Sequence, residues 1–454
     1  MKAFACFVLC LLVSTTGVLP GRAKEIQFNR ADPLHIETAI TTALAENPDI
    51  TMAAAAVKKA EADLEKTRAL FLPAVSLYTD HSAGDAPSAY LFKTIDQRAL
   101  PKNTDFNDPG SFSNFETGVT MGWNLFHGGK DRLARKMAAL GIEEKEALLA
   151  TGKDRIVIAV IKTYFSLLKA EDYVAIARKS KNTIKEQLRI MEVRFRGGSV
   201  LKSDILSLKT RLAEAEKDLV QSENLYATTA AALANLMGRE PSGTMNLVKG
   251  CSCPVSFPDT YAGGKEIALD KRPEVASARQ RLKQARTEVK MAKAEYLPRV
   301  DLQSTYYIDS KTHELNANKA NYTVGVRAQL DIFTGFSTRA GIAGAEYQLA
   351  RARAGMKKTR LAVLRDVKTA FLDLMDASKR FDVAKTATAK AAESFDLARL
   401  RYQGGSVPIT RYLETELAKS RAEINLTAAR FDKKIAKGEI ARALGILSSI
   451  WAKE

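Results

Sequence analysis

Histidine and cysteine are the side chains best suited to holding a metal or moving protons, and here their spacing supports neither task. His35, His81, His127 and His313 are isolated, with no metal-ligand spacing and no acid–base partner placed by a motif. No glycine-rich loop is built to cradle a phosphate. Cys6 and Cys10 lie in the first residues, which leaves Cys251 and Cys253 in the turn-rich stretch Gly250-Cys-Ser-Cys-Pro254. Two thiols are too few ligands for a structural zinc. In an oxidising compartment they form a local disulfide, strained in a Cys-x-Cys ring, or remain a free pair. The sequence therefore predicts no catalytic residue, no cofactor and no metal.

The first residues read as an address. Lys2 precedes an apolar run from Ala3 to Val13, then Ser14, Thr15, Thr16 and Gly17, and Gly21-Arg22-Ala23 puts small residues at −3 and −1 of a cut. That is a secretory signal peptide over residues 1–23. Cys10 follows Leu9 rather than a small residue, which argues against a lipoprotein. No stretch of about 18 apolar residues recurs, so no transmembrane helix is expected. The mature chain is periplasmic or secreted, or it crosses a membrane as strands. Net charge is +17, of which Lys2 and Arg22 carry two. The remaining Lys and Arg are scattered among Glu and Asp along helices, as on a solvated face, and export excludes a nucleic-acid partner.

The elements that position everything else come in two copies. Ala45-Glu-Asn-Pro-Asp-Ile50 returns as Asp270-Lys-Arg-Pro-Glu-Val275, and Leu70-Phe-Leu-Pro-Ala-Val75 as Glu295-Tyr-Leu-Pro-Arg-Val300, both at an offset of 225. Further on, Leu125-Phe-His-Gly-Gly129 matches Ile332-Phe-Thr-Gly-Phe336. Arg194-Phe-Arg-Gly-Gly-Ser-Val200 matches Arg401-Tyr-Gln-Gly-Gly-Ser-Val407, and Leu236-Met-Gly238 matches Ala443-Leu-Gly445, now at an offset of 207. The first copy thus carries an insertion of 18 residues between Pro73 and Phe126, whose Gly, Pro and Asn content reads as an exposed loop.

The first repeat spans 24–240, with strands over about 74–84 and 114–126 and a long helical hairpin over 128–238. A linker occupies 241–264. The second repeat spans 265–446, with strands over about 299–309 and 321–333 and a hairpin over 336–445, followed by a tail, 447–454. The second strands alternate most clearly: Tyr322, Val324, Val326, Ala328, Leu330 and Ile332 against Thr323, Gly325, Arg327, Gln329 and Asp331. Period two over about ten residues, at repeat-related positions, is what a barrel wall requires. From Lys130 to Arg194 and from Ser337 to Tyr402 there is no proline. Such helices reach roughly 95–100 Å. The returning helix carries an apolar or small seam at Leu201, Ile205, Leu208, Leu212, Ala215, Leu219, Ser222, Tyr226, Thr229 and Leu233, and copy two continues it through Leu413, Leu417, Ser420, Ile424, Thr427 and Phe431. The period of 3.5 is that of a coiled coil.

Four strands cannot close a barrel, and open edges are not viable in hydrocarbon. The fold class predicted is mainly α with a transmembrane β-barrel portion, completed by oligomerisation. Three copies would give twelve strands and a helical barrel; two copies would give eight strands with a filled interior.

With its duplicated Pro-containing elements, Leu-Pro turns before strands, Phe-x-Gly junctions and Gly-Gly hairpins, the chain resembles the TolC-type outer-membrane efflux protein family over nearly its whole mature length. The resemblance implies a homotrimeric channel-tunnel in the outer membrane lipid, extending into the periplasm, docked to a periplasmic adaptor protein and an inner-membrane pump or ABC exporter. It implies that Phe195, Gly197, Gly198, Asp204, Tyr402, Gly404 and Gly405 form the periplasmic tip that adaptors engage. It also implies acidic residues ringing a closed pore, with Asp204 and Glu414 in that role and Arg411 where an acid is usual. Arg411 and Glu414 are spaced to pair; solvated helix-end charges are the other reading. Paired glycines suit a helix C-terminus, and Ser199 and Ser406 are expected as the next N-caps. A periplasmic coiled-coil adaptor or scaffold without a pore would share the hairpins but gives no reason for the strands. Cargo and pump class are not encoded legibly.

Overall fold

A computed structural model describes residues 33–241, 245–249, 257–258 and 260–447. The signal segment and the Cys251–Cys253 pair lie outside these residues. Each repeat opens with a helix that stops and restarts at a proline. α1 (Ile36–Glu46) ends at Asn47 and α2 (Pro48–Lys66) follows. Proline fits the first turn of a helix but disfavours the helical conformation in the residue before it. Asn47 (φ −68°, ψ 126°) therefore adopts an extended backbone, and its counterpart Arg272 in copy two adopts the same one (φ −67°, ψ 126°). A glycine from the far end of each repeat closes on this junction. A Cβ on Gly238 (φ +73°) would lie 2.4 Å from the Glu46 carbonyl oxygen, and one on Gly445 (φ +70°) 2.9 Å from the Arg272 nitrogen. The Leu-Met-Gly and Ala-Leu-Gly repeats mark that close approach.

The first strand of each repeat starts directly after its Leu-Pro turn. β1 (Ala74–Gly84), β2 (Phe112–His127), β3 (Arg299–Ser310) and β4 (Ala320–Gln329) form one antiparallel sheet in that order. Directly paired residues share a face. Leu77, Val119, Tyr306 and Tyr322 form one row across the sheet, and Tyr78, Gly118, Tyr307 and Asn321 the next. The first face leaves Val75, Leu77, Val119, Trp123, Tyr306, Tyr322, Val324 and Val326 exposed. The second carries Asn114, Glu116, Gln303, Asp309, Asn321 and Arg327. A bare apolar face opposite a polar one describes a barrel wall with lipid outside and water within. The outer edges of β1 and β4 have no strand partner among the described residues.

Two expectations change. The β4 ladder ends at Gln329 rather than at 333, because its partner β3 begins at Arg299, immediately after Pro298. Proline cannot donate to a ladder, and Leu330, Ile332 and Phe333 stay exposed beyond the pairing. The insertion is more than loop: Pro87–Asp96 forms helix α3, with Pro87 in its first turn and Thr94 buried. Ten residues make no stable helix alone; α3 is held by tertiary bonds to the sheet, which local composition does not announce.

From the sheet, the chain enters α4 (Lys130–Arg196), returns in α5 (Lys202–Leu236), and passes through α6 (Tyr261–Lys271) and α7 (Pro273–Lys293) to β3. After β4, α8 (Ser337–Gln403) and α9 (Ile409–Leu444) repeat the hairpin. α4 and α8 each have 67 residues, about 100 Å at 1.5 Å per residue. Along α5 the seam from Ile205 to Leu233 is buried or half-buried at every expected position, while Leu201 is exposed. The main core sits midway along α4, where Ile161, Tyr164, Phe165 and Leu168 meet Ile36 and Ile40 of α1, Leu233 of α5 and Phe431 of α9. No described helix is long and apolar enough to cross a membrane.

Candidate entrance at the helical tip

The two hairpin turns lie one full helix length from the sheet, and both are built alike. In the first, Gly198 (φ +69°) follows α4, with Ser199 N–H donating to the Arg194 carbonyl (3.0 Å) and Gly198 N–H to that of Phe195 (2.9 Å). In the second, Gly405 (φ +72°) follows α8, with Ser406 donating to Arg401 (2.8 Å) and Gly405 to Tyr402 (3.1 Å). This is the Schellman stop, which glycine makes without a Cβ penalty. Ser199 and Ser406 are thus used to end helices, not to start them. The caps of α5 and α9 are Leu201 and Pro408, both extended and without a side-chain bond, because two further residues are needed to reverse the chain.

Beneath the turns the two hairpins share an apolar cluster. Ile184, Leu188 and Met191 of α4, Ile205 and Leu208 of α5, Phe395 of α8, and Ile409 and Tyr412 of α9 are buried together. Tyr402 packs on it, its ring 5.4 Å from Tyr412 and its hydroxyl donating to Met191 Sδ at 2.8 Å. Burial, with a contribution from the Asp204 charge, raises the Tyr402 phenol. Tyr402 thus packs on the cluster to which Ile205, the residue after Asp204, belongs. Asp204 is half-buried in the first turn of α5, where the helix dipole favours an acid. Arg411 and Glu414 pair at 3.3 Å as expected from their spacing, but both are more than half exposed. Such a pair contributes well under about 1 kcal/mol. Phe195 is exposed, as are Leu201 and Leu206 at the start of α5 and Leu397 and Leu400 in the last turns of α8.

The strongest polar feature near the tip was not legible in the sequence. Glu416 on α9 is buried, accepts from Ser180 Oγ of α4 (2.6 Å) and Ser420 Oγ (2.9 Å), and pairs with Arg211 Nη2 of α5 (3.3 Å). The side chains of Arg211 and Glu416 are 10% and 4% exposed. Arg211 also reaches Glu214 at 3.1 Å, while its Nε has no hydrogen-bond partner among the described residues. Burial and the Glu416 charge push the Tyr412 phenol up to about 12. A buried ion pair gives little net stability, yet losing one partner strands the other, so the pair fixes geometry more than it adds energy. Here it ties hairpin one to hairpin two. Charges flanking a coiled-coil seam are ordinary, so periodicity gives no warning that these two are dry.

Residues 39–239 and 266–446 match the family model described as outer membrane efflux protein. The chain belongs to that family. CyaE of Bordetella pertussis is 26% identical over 353 residues, covering 77% of this chain and 71% of that protein. The pyoverdine export outer membrane protein OpmQ of Pseudomonas aeruginosa is 23% identical over 477 residues, covering 98% and 97%. The fold is that of the Campylobacter jejuni CmeC outer membrane channel, with a TM-score of 0.78 at 17% identity over 91% of this chain and 86% of that one. As an outer membrane efflux protein the chain is an outer-membrane channel with a periplasmic extension, and its family is not enzymatic. The Gly197-Gly198 and Gly404-Gly405 turns lie at the ends of the long helices away from the sheet.

Proposed function

We propose that three copies of this chain close into one exit duct, a twelve-stranded barrel continued by a helical tunnel, serving a tripartite efflux pump or a type I secretion system. Channels of this family are trimeric. The observation that carries the reading is the four-stranded sheet with both edges unpaired among the described residues and one face of exposed apolar residues. Such a sheet is stable in lipid only when copies pair edge to edge. Twelve strands spaced about 4.8 Å and tilted about 40° give a barrel about 24 Å across, wide enough for a lumen, whereas eight strands would be filled by side chains.

The helical tip is the entrance. Phe195 and the exposed leucines beside Gly197, Gly198, Gly404 and Gly405 offer an apolar surface to a periplasmic adaptor, which in turn links the duct to an inner-membrane pump or ABC exporter. Asp204, Arg411 and Glu414 act at the constriction, and the Ser180–Glu416–Arg211 latch holds the two hairpins of a subunit in register behind it. The pump selects the cargo. Fractionation with outer membranes, cross-linking to trimers and ion conduction in a planar bilayer test the reading. A protein that stays a detergent-free, water-soluble monomer overturns it.

A further inference from the structure

The two ends of the sheet differ in charge. The ten residues on the helical side of each strand, 64–73, 128–137, 289–298 and 330–339, hold nine Lys or Arg against four Asp or Glu, a net +5. The connections at the other end, 85–111 and 311–319, hold five of each and cancel. Nearly a third of the net +17 thus sits in less than a tenth of the chain. α4 shows which way these charges point. Asp131 accepts from Asn124 Nδ2 at 2.7 Å, and Asn124, paired through Asp301 with Arg327, lies on the polar face of the sheet. Asp131 is therefore on the lumen side. Successive residues turn about 100° round a helix, so Arg135 follows Asp131 to that side, while Arg132 and Lys136, about 100° and 140° away, face outward. Both are exposed, with no ion-pair or hydrogen-bond partner among the described residues. α8 begins the same way. Gly335 (φ +60°) and Phe336 (φ +66°) repeat the left-handed pair Gly128 (φ +58°) and Gly129 (φ +77°) that opens α4. Arg339, 207 positions after Arg132, stands as Arg132 does, and it is likewise exposed and without a partner among the described residues.

Beside these cations runs an apolar belt. Leu125 and Phe126 at the end of β2 are exposed, as are Tyr296 and Leu297 just before β3. The two stretches form one surface: a Cβ on Gly128 would stand 2.6 Å from the Ala294 carbonyl oxygen and 3.0 Å from Leu297 Cβ. β2 and β3 are the inner strands, so sibling subunits that pair on the edges of β1 and β4 leave this patch open. Apolar side chains next to unpaired cations fit a molecule with acyl chains and a negative head. The headgroup layer of a leaflet is about 5–8 Å deep, and α4 passes from Lys130 to Lys136 in about 9 Å. A guanidinium also matches phosphate with two parallel hydrogen bonds.

We propose that Arg132, Lys136 and Arg339 form a collar that selects anionic phospholipids of the periplasmic leaflet, the phosphate held by the cations and the acyl chains lying on Phe126 and Leu297. This rests on the barrel reading above.

The test is lipid retention. Detergent-purified protein is mixed with phosphatidylglycerol or with phosphatidylethanolamine at equal concentration, and the bound lipids are counted by native mass spectrometry. The parent chain holds phosphatidylglycerol about tenfold better, and inorganic phosphate at millimolar concentration does not displace it. Arg132→Gln/Lys136→Gln/Arg339→Gln brings the two lipids to parity, whereas Arg135→Gln, on the lumen side of the same helix, keeps the preference. Parity in the parent, a preference that survives the triple change or vanishes with Arg135→Gln, or displacement by phosphate alone each overturns the collar. Its residues lie within one subunit, so the preference is read per protomer whatever the oligomer. Absence of trimers in the same spectra counts against the duct reading alone.

Discussion

Arg211→Met should loosen the tip without touching the turns. The substitution leaves Glu416 buried, 4% exposed, with two serine hydroxyls and no counter-ion. Removing one partner of a buried ion pair costs about 3 kcal/mol or more. If that cost falls on local opening of the hairpin ends, amide exchange there speeds by about a hundredfold. Glu416→Gln keeps the serine bonds and leaves Arg211 with Glu214, so its effect is smaller, about 1–2 kcal/mol. The double variant Arg211→Met/Glu416→Met removes both charges and should return most of the protection, a coupling of about 2 kcal/mol between the two sites. Hydrogen exchange by mass spectrometry on the detergent-solubilised protein reads this directly, in peptides covering 180–215 and 395–420. Exchange in Arg211→Met that stays within about threefold of the parent, or a double variant as fast as the worse single, would refute a latch between the hairpins.

Gly238→Ala and Gly445→Ala each drive a Cβ into backbone at positive φ and should destabilise by more than about 2 kcal/mol, whereas Gly198→Ala and Gly405→Ala, in open space, should cost only about 1 kcal/mol; thermal melts rank them. Burial alone would raise Glu274 and Glu439, but Arg272 holds the first, and Lys162 with Arg442 the second, below the ordinary glutamate value of 4.5. Their folded values being depressed, the stability they add is present above pH 4.5 and is lost as pH falls through the lower folded values; melts against pH should drop there, less steeply in Glu274→Gln. On β4, Val324→Arg faces lipid and should cost about 2–4 kcal/mol and reduce trimer yield, while Gly325→Ser on the lumen face should be nearly neutral.

What the sequence displays well is what repeats. The duplicated proline and glycine motifs mark backbone conformations that few residues tolerate, so Asn47 with Arg272 and Gly238 with Gly445 pair by inspection, without their contacts. The alternation of Tyr322 to Ala328 and the seam from Ile205 to Leu233 are equally plain, because each gathers apolar side chains on one face, bare on the strand and turned toward neighbouring helices on α5. Other features are hidden because they depend on residues distant in sequence. α3 owes its existence to Glu116 and Asp309, 23 and 216 positions from Lys93. The Arg211–Glu416 latch joins residues separated by 205 positions, each sitting in an ordinary charged stretch. Ser199 and Ser406 read as N-caps because serine after Gly-Gly suits either end of a turn; only the chain's need for two more extended residues decides between them.

An outer-membrane channel built from incomplete subunits makes one demand above the others, that the sheet edges of β1 and β4 be satisfied by sibling chains. Light scattering of the detergent-purified protein, followed by single-channel recording on the same sample, measures it. Three protomers of 49.7 kDa each, less the signal segment, in one conducting particle is the predicted result. A particle holding one protomer, or a trimer that conducts nothing even with the Arg211–Glu416 latch broken, contradicts it.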